Sequence, residues 1–452
     1  MKRPALNKYI YIMLFFGLFS PLSSRAYSVF AHEAIIDASW EKSILPLLKA
    51  KYPAATDAEI NVARSYAYGG SLIADMGYFP FGNPYFTNLV HYVRSGDFVN
   101  NLLSESQNIN EYAFAIGALS HYMTDKYGHS LGTNKAVPIV YPKIGQKFGS
   151  VVTYDEDNIS HKRMEFAFDV LQTARGNYLP QSYHNFIGFN VAKPVLERAF
   201  LKTYGEDVNQ VFGNIDLTIS TFRWSIRTLF PALTREAWSI KKADILKAHP
   251  DYTSRKFHYR LKKKEYYQEF GREREKPKFH ERIIAFLIQI LPKVGPLRSL
   301  KFKDPGPEGE KLFIQSFDTT VVHYGIALNT LKREDHINLP DVDFDTGNIT
   351  APGEYGLADL TYSQMVIKLQ DEKLKNLSLP LKENIMSFYE KADTTTKSNT
   401  NKKDKIDWKK TYLALQQIRT AKPVPMDSLK NYKGGSYKIE PDSAKLSSNQ
   451  HK

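Results

Sequence analysis

The segment "INEYAFAIGALSHYMTDKYG" constrains this chain more than any other. It is apolar nearly all round at helical spacing, which predicts a helix buried on every side and ended at Gly128. A helix enclosed on all faces needs partners, and the neighbouring segments read as more helices. "AHEAIIDASWEKSILPLLKAKYP" repeats apolar residues three and four apart until a proline stops it. "TDAEINVARSYAYGGSLIAD" opens with Thr56 and Glu59 at the spacing of a capping box and runs toward Asp75. "NISHKRMEFAFDVLQTARG", "NIDLTISTFRWSIRTLF", "TREAWSIKKADILKAH", "KLFIQSFDTTVVHYGIALNTL" and "ADLTYSQMVIKLQ" continue the pattern. Alternating strand patterns bounded by hairpin turns are scarce, so the expectation is an all-α fold.

The buried helix also carries His121 and Asp125, and enclosing a histidine and an aspartate is costly unless they are paired or bind a metal. Four residues apart, both side chains lie on one helix face, and His161 with Glu165 repeats the spacing. Spacing alone is weak. With 12 histidines and 48 acids in 452 residues, chance supplies about 1.3 such pairs. The arrangement says more: His129 follows Asp125, Asp75 and His91 lie upstream, and His32 stands near the start of the chain. Five histidines and three carboxylates exceed the roughly three protein ligands of one catalytic zinc. They suffice for two or three ions sharing a carboxylate, and imidazoles favour zinc over magnesium.

Lys2, Arg3 and Lys8 precede the apolar run "YIYIMLFFGLF", and "SPLSSRA" follows with small residues at Ser24 and Ala26. That order predicts a signal peptide over residues 1–26, cleaved after Ala26. The run is well short of the roughly twenty residues that span a bilayer. The expected destination is secreted or periplasmic, with Tyr27 as first mature residue. A free α-amino group has a pKa of about 7.7–8, so the Tyr27 amine and carbonyl could chelate zinc, with His32 folding back to complete the site. The chain has no cysteine, which excludes a lipobox, thiolate ligands, a thiol nucleophile and disulfides.

At this point the chain resembles the zinc-dependent phospholipases C, which share an all-α trinuclear-zinc fold with fungal-type single-strand nucleases. The matching pieces are "YSVFAH", "AD…NLVHY", "SHYMTDKYGH" and "SHKRME", and the likeness extends from Tyr27 to about Gln370. The resemblance implies one zinc held by Asp75, His91, His121 and Asp125. It implies a second held by the Tyr27 amine and carbonyl, His32 and Asp125, with Asp125 bridging. A third would be held by His129, His161 and Glu165, and Asp75 matches the family's proposed general base. Two departures stand out. Tyr27 replaces the usual Trp, and His129 follows Asp125 by four residues where the well-known members use six.

Net charge is +13, which favours anionic partners: a phospholipid surface, nucleic acid or phosphate esters. Residues 241–282 hold fourteen Lys or Arg against seven Asp or Glu, inside a basic and apolar segment over 241–300. Phospholipid phosphodiester hydrolysis is the first expectation, because Glu165 stands where the nucleases of this fold more often use aspartate. The alternatives are a nuclease or nucleotidase on the same fold, and a non-catalytic secreted binding protein on a degenerate scaffold. Nothing in the sequence points to a protein partner. The catalytic domain is expected over 27–375, followed by a polar, largely disordered tail over 376–452 with a short amphipathic helix at "WKKTYLALQQIRT". "DVDFDTG" (Asp341–Gly347) lacks the glycine and glutamate positions of a calcium loop and reads as a turn. Phe79, Phe81, Tyr85 and Phe86 are candidates to line a substrate cleft.

Overall fold

The capping box at Thr56 forms: its hydroxyl accepts from the Glu59 amide and the Glu59 carboxylate accepts from the Thr56 amide. The computed structural model describes residues 29–175, 177–178, 188–248, 301–391 and 406–429. The expected signal peptide, Tyr27, the greater part of the basic segment and the "TTTKSNTNKKDK" linker lie outside them. Helix α1 (Val29–Ser39) passes through a π-helical turn into α2 (Leu45–Lys51), and α3 spans Asp57–Gly70. A 3-10 turn over Ile73–Tyr78 leads to α4 (Pro84–Tyr92), α5 (Ser95–Ser104) and α6 (Ile109–Tyr127). Next come α7 (Asn134–Val140), α8 (Pro142–Phe148), α9 (Asn158–Ala174), α10 (Lys193–Tyr204), α11 (Val208–Phe212), α12 (Ile215–Trp224) and α13 (Phe230–Ala248). The C-terminal part holds α14 (Gly306–Glu334), α15 (Gly356–Asp371), α16 (Leu379–Glu390), α17 (Trp408–Thr420) and α18 (Met426–Leu429). The fold is all-α. Among the described residues the only β pairings are two isolated bridges, Val342 with Ile349 and Ser378 with Val424. Among them, too, no helix is long and apolar enough to cross a membrane.

Helix α6 is the enclosed helix that its sequence predicts. It is buried continuously from Glu111 to Asp125 and packs against α1, α3, α5 and α14. Its closest neighbour is α3. A β-carbon at Gly70 would overlap the Phe114 carbonyl, and one at Gly117 would overlap the Ala67 carbonyl. The two glycines therefore let the backbones touch, and that contact brings Ser71 within reach of His121. Glycine is needed here for space rather than for an unusual backbone angle.

Two expectations change. Gly128 does not stop α6. It keeps right-handed helical angles (φ −64, ψ −47) rather than the left-handed ones of a glycine stop, and the chain widens into a π-helical turn over Gly128–Thr133. Packing of α14 across this turn supplies the contacts that hold it. The folded domain also does not end at 375. Leu381, Ile385 and Phe388 of α16 and Ala414 and Ile418 of α17 are buried in the main core, Tyr362 of α15 stacks on Phe388 at 3.8 Å, and α17 packs on α15. The polar composition there hides a stripe at helical spacing, which is enough to dock two helices.

Candidate metal centre

Local structure places each ligand candidate. Asn83 caps α4 by accepting from the Tyr85 amide, Pro84 starts the helix, and His91 occupies its last turn. The His91 Nδ1 lies 2.9 Å from the Thr87 carbonyl oxygen, and the His121 Nδ1 lies 2.8 Å from that of Ser71. A carbonyl only accepts, so both rings carry the proton on Nδ1 and present Nε2 inward. Asp75 sits in the 3-10 turn after α3, His129 in the π-helical turn after α6, and His161 and Glu165 on adjacent turns of α9.

The side chains converge on Asp125. Its Oδ2 lies 3.0 Å from His121 Nε2 and 3.2 Å from His91 Nε2. Its Oδ1 lies 3.2 Å from His32 Nε2 and 3.9 Å from His129 Nε2. One carboxylate thus turns each oxygen toward a different set of imidazoles. Asp75 Oδ1 stands 3.5 Å from His91 Nε2 on the first side. Beyond His129, Glu165 Oε1 faces His129 Nε2 at 3.4 Å and His161 Nε2 at 3.0 Å. None of these eight residues is more than 4% exposed.

Several buried polar atoms are compatible with metal ligation and are not accounted for by hydrogen bonding. Both oxygens of Asp75 and of Asp125, both ring nitrogens of His161 and Oε1 of Glu165 are buried without a hydrogen-bond partner among the described residues. Such groups are costly to enclose. Ligand atoms at about 2.0–2.1 Å around a tetrahedral zinc lie roughly 3.4 Å from one another, close to the separations seen here. His32, His121 and Asp125 offer ligand atoms within 4.8 Å of one another, as do Asp75, His91 and His121, and His129, His161 and Asp345. The donor set of imidazole and carboxylate suits zinc.

The clustered carboxylates dominate the electrostatics of the pocket. Burial works against a charged His121, but the Asp125 and Asp75 carboxylates and the Ser71 carbonyl outweigh it and raise its pKa to about 9. Burial opposes a charged His129 as well, and Asp125, Asp345 and Glu165 raise it well above the usual imidazole range. Asp125, against its own burial, is held well below the carboxylate range by His121 and His129. His32 moves the other way, lowered by burial and by the neighbouring His121, whose ring stacks on it at 4.4 Å.

Residues 31–214 match the family model of zinc dependent phospholipase C. Over that stretch the chain is similar to the zinc-dependent phospholipase C family. No curated protein and no solved structure matches the chain. The family points to a hydrolase, and the buried His and Asp clusters are compatible with its zinc requirement. All eight described residues implied by the resemblance lie inside the zinc-dependent phospholipase C match, whereas Tyr27 lies outside the described residues.

The structure adds a residue that sequence reading passed over. "DVDFDTG" is a turn, as expected, closed by the Gly347 amide on the Asp343 carbonyl at 2.9 Å. Yet it delivers Asp345, 1% exposed, to within 3.4 Å of His129 Nδ1. The preceding Phe344 donates its amide to the His91 carbonyl and packs its ring on His91 and His121. The alternating aspartates at 341, 343 and 345 were the available signal. Of the cleft candidates, Phe79, Tyr85 and Phe86 are buried, Phe79 against Phe222, Tyr85 bonded to Glu206, and Phe86 against Phe200. Only Phe81 is exposed, at 50%.

Proposed function

We propose that this protein is an exported zinc-dependent phosphodiesterase of the phospholipase C type, with three zinc positions, that hydrolyses phospholipid phosphodiesters at a membrane surface. The division of the Asp125 oxygens between two sets of imidazoles carries the reading, because it is the arrangement a bridged pair of ions requires. Bound zinc supplies an acidified water as nucleophile near neutral pH and positive charge against the phosphoryl oxygens. The chain's part is to hold that charge in a fixed, dry geometry. Thr87 and Ser71 hold the imidazoles in direction, Asp125 would offer one oxygen to each of two zinc positions, and Asp75 would be the group to take up a proton. In this reading signal-peptide cleavage exposes the Tyr27 amine, so the second zinc position is completed only after export.

Phospholipid is favoured over nucleic acid by the surface beside the Asp75 turn. Phe81 is half exposed and holds a left-handed backbone (φ 64), a costly conformation for a bulky residue. Its carbonyl accepts from Thr218 of α12 at 2.8 Å, and α12 exposes Leu217 (39%) and Trp224 (40%), seven residues apart and so on one face. These apolar side chains suit the acyl boundary of a bilayer.

The test uses the mature chain from Tyr27, loaded with zinc, beside His121→Ala. Mixed phospholipid vesicles, a soluble phosphodiester and single-stranded DNA are offered in parallel. Phosphorylated head-group release that disappears in His121→Ala is the expected result. Nucleotide release instead would move the substrate to nucleic acid, and no hydrolysis with no retained zinc would overturn the enzyme reading. Phe81→Asn, which tolerates the left-handed backbone, should lose about tenfold on vesicles, in line with roughly 1.5–3 kcal/mol for a buried phenyl ring. Its rate on the soluble diester should stay within about twofold.

A further inference from the structure

Each imidazole whose Nε2 turns into the first zinc position is held from behind. Thr87 and Ser71 carbonyls do this for His91 and His121. At the third position His129 has Nε2 toward Glu165, at 3.4 Å, and Nδ1 toward Asp345 Oδ1, also at 3.4 Å. His129, His161 and Asp345 offer ligand atoms within 4.8 Å of one another, so Asp345 could stand on the ion or behind the ring; Glu165 Oε1, which faces the Nε2 atoms of both His129 and His161, argues for the ion on the Nε2 side of His129. Nδ1 is left to Asp345.

Asp345 is built for this place. Its Oδ2 accepts from the Tyr154 amide at 2.8 Å and from the Tyr355 hydroxyl at 2.7 Å. Its Oδ1 is buried and accepts no hydrogen bond among the described residues. The backbone around it is pinned: Asn134 Nδ2 donates to the Asp345 carbonyl at 2.7 Å and the Phe344 amide to that of His91 at 3.1 Å. A carboxylate with one oxygen anchored and the other bare, at the back of an imidazole, is the outer partner of a carboxylate–histidine–zinc relay. We propose that Asp345 is the positioning residue of His129. It fixes the Nδ1–H tautomer and ring direction at the zinc position where the sequence departs from the family's spacing. The inference rests on the metal-centre reading above and makes the loop over 341–347, which lies outside the family match, part of that centre.

The two donors on Oδ2 make the proposal testable. In Asp345→Asn the amide oxygen must face the Tyr154 amide and the Tyr355 hydroxyl, so the amide NH2 faces His129 Nδ1. That stabilises the opposite tautomer, with the proton on Nε2, which cannot ligate. Asp345→Ala leaves the ring unsupported but free to ligate. The full mature chain is loaded with zinc, and the affinity for its weakest ion is measured by chelator competition, with zinc content after dialysis and circular dichroism as controls. Asp345→Asn is expected to weaken that ion by about 10–100-fold, and Asp345→Ala by clearly less. A purely structural role predicts the reverse order, with the near-isosteric Asn milder than Ala, and would overturn the proposal. Equal losses in the two variants would place Asp345 on the ion itself and also overturn it. His161→Ala separates this failure from that of the metal centre. If it releases no zinc, the third position falls, and Asp345 with it.

Discussion

Asp125→Asn is expected to lower hydrolysis by at least about 10³-fold and to retain at least one zinc ion fewer than the parent, counted after dialysis. The loss follows from how the carboxylate is used. Oδ2 serves His91 and His121, and Oδ1 serves His32. An amide has one ligating oxygen and one NH2, so one of the two positions would meet a donor in place of a ligand. Removing an outer partner of a metal ligand costs about 10–100-fold, and removing a shared inner one should cost more. The variant also deprives charged His121 of its nearest anion and His129 of one of its neighbouring carboxylates, so its folding is checked by circular dichroism before metal is counted. Two or more zinc ions retained with activity within tenfold of the parent would remove Asp125 as the bridge.

Stripping zinc with a chelator should abolish activity and lower the melting temperature, with a gap that widens as pH rises from about 6 to 9. Each site filled at a thousandfold excess over its dissociation constant contributes about 4 kcal/mol. At about 2 cal/mol/K per residue over roughly 400 residues, that is ~5 °C per site, or ~10 °C for two. The pH trend comes from proton competition. Without metal, His121 titrates near 9 and His129 well above the usual range, and both are above the unfolded value of about 6.5. Their contribution to the metal-free protein is therefore complete below about pH 6.5 and is lost as pH rises through the folded values. Zinc requires both imidazoles neutral, so its affinity moves oppositely and grows with pH. Asp125, held low, stays ionised throughout this range and adds no slope. Calorimetric titration in two buffers of different ionisation enthalpy should show net proton release at pH 7.5. An unchanged melting temperature after chelation, or zinc uptake without proton release, would refute this account.

What the sequence determined by itself was local. The pairs His121–Asp125 and His161–Glu165 were legible because one helical turn fixes their relative direction, and the Thr56–Glu59 cap because three residues suffice to close it. The all-round apolar α6 announced its own burial, and with it the cost of any histidine or aspartate left inside without a partner. The tertiary structure decided what depends on meetings between distant segments. It sent the chain past Gly128 into a π-helical turn, because α14 covers that turn and a glycine with right-handed angles ends nothing. It docked α16 and α17 through Leu381, Ile385, Phe388 and Ile418, a stripe that average polarity conceals. It also set Asp345 behind His129. An aspartate in a turn has no periodicity to betray its direction, and only the closing of the C-terminal helices over the family core brings its bare oxygen to an imidazole.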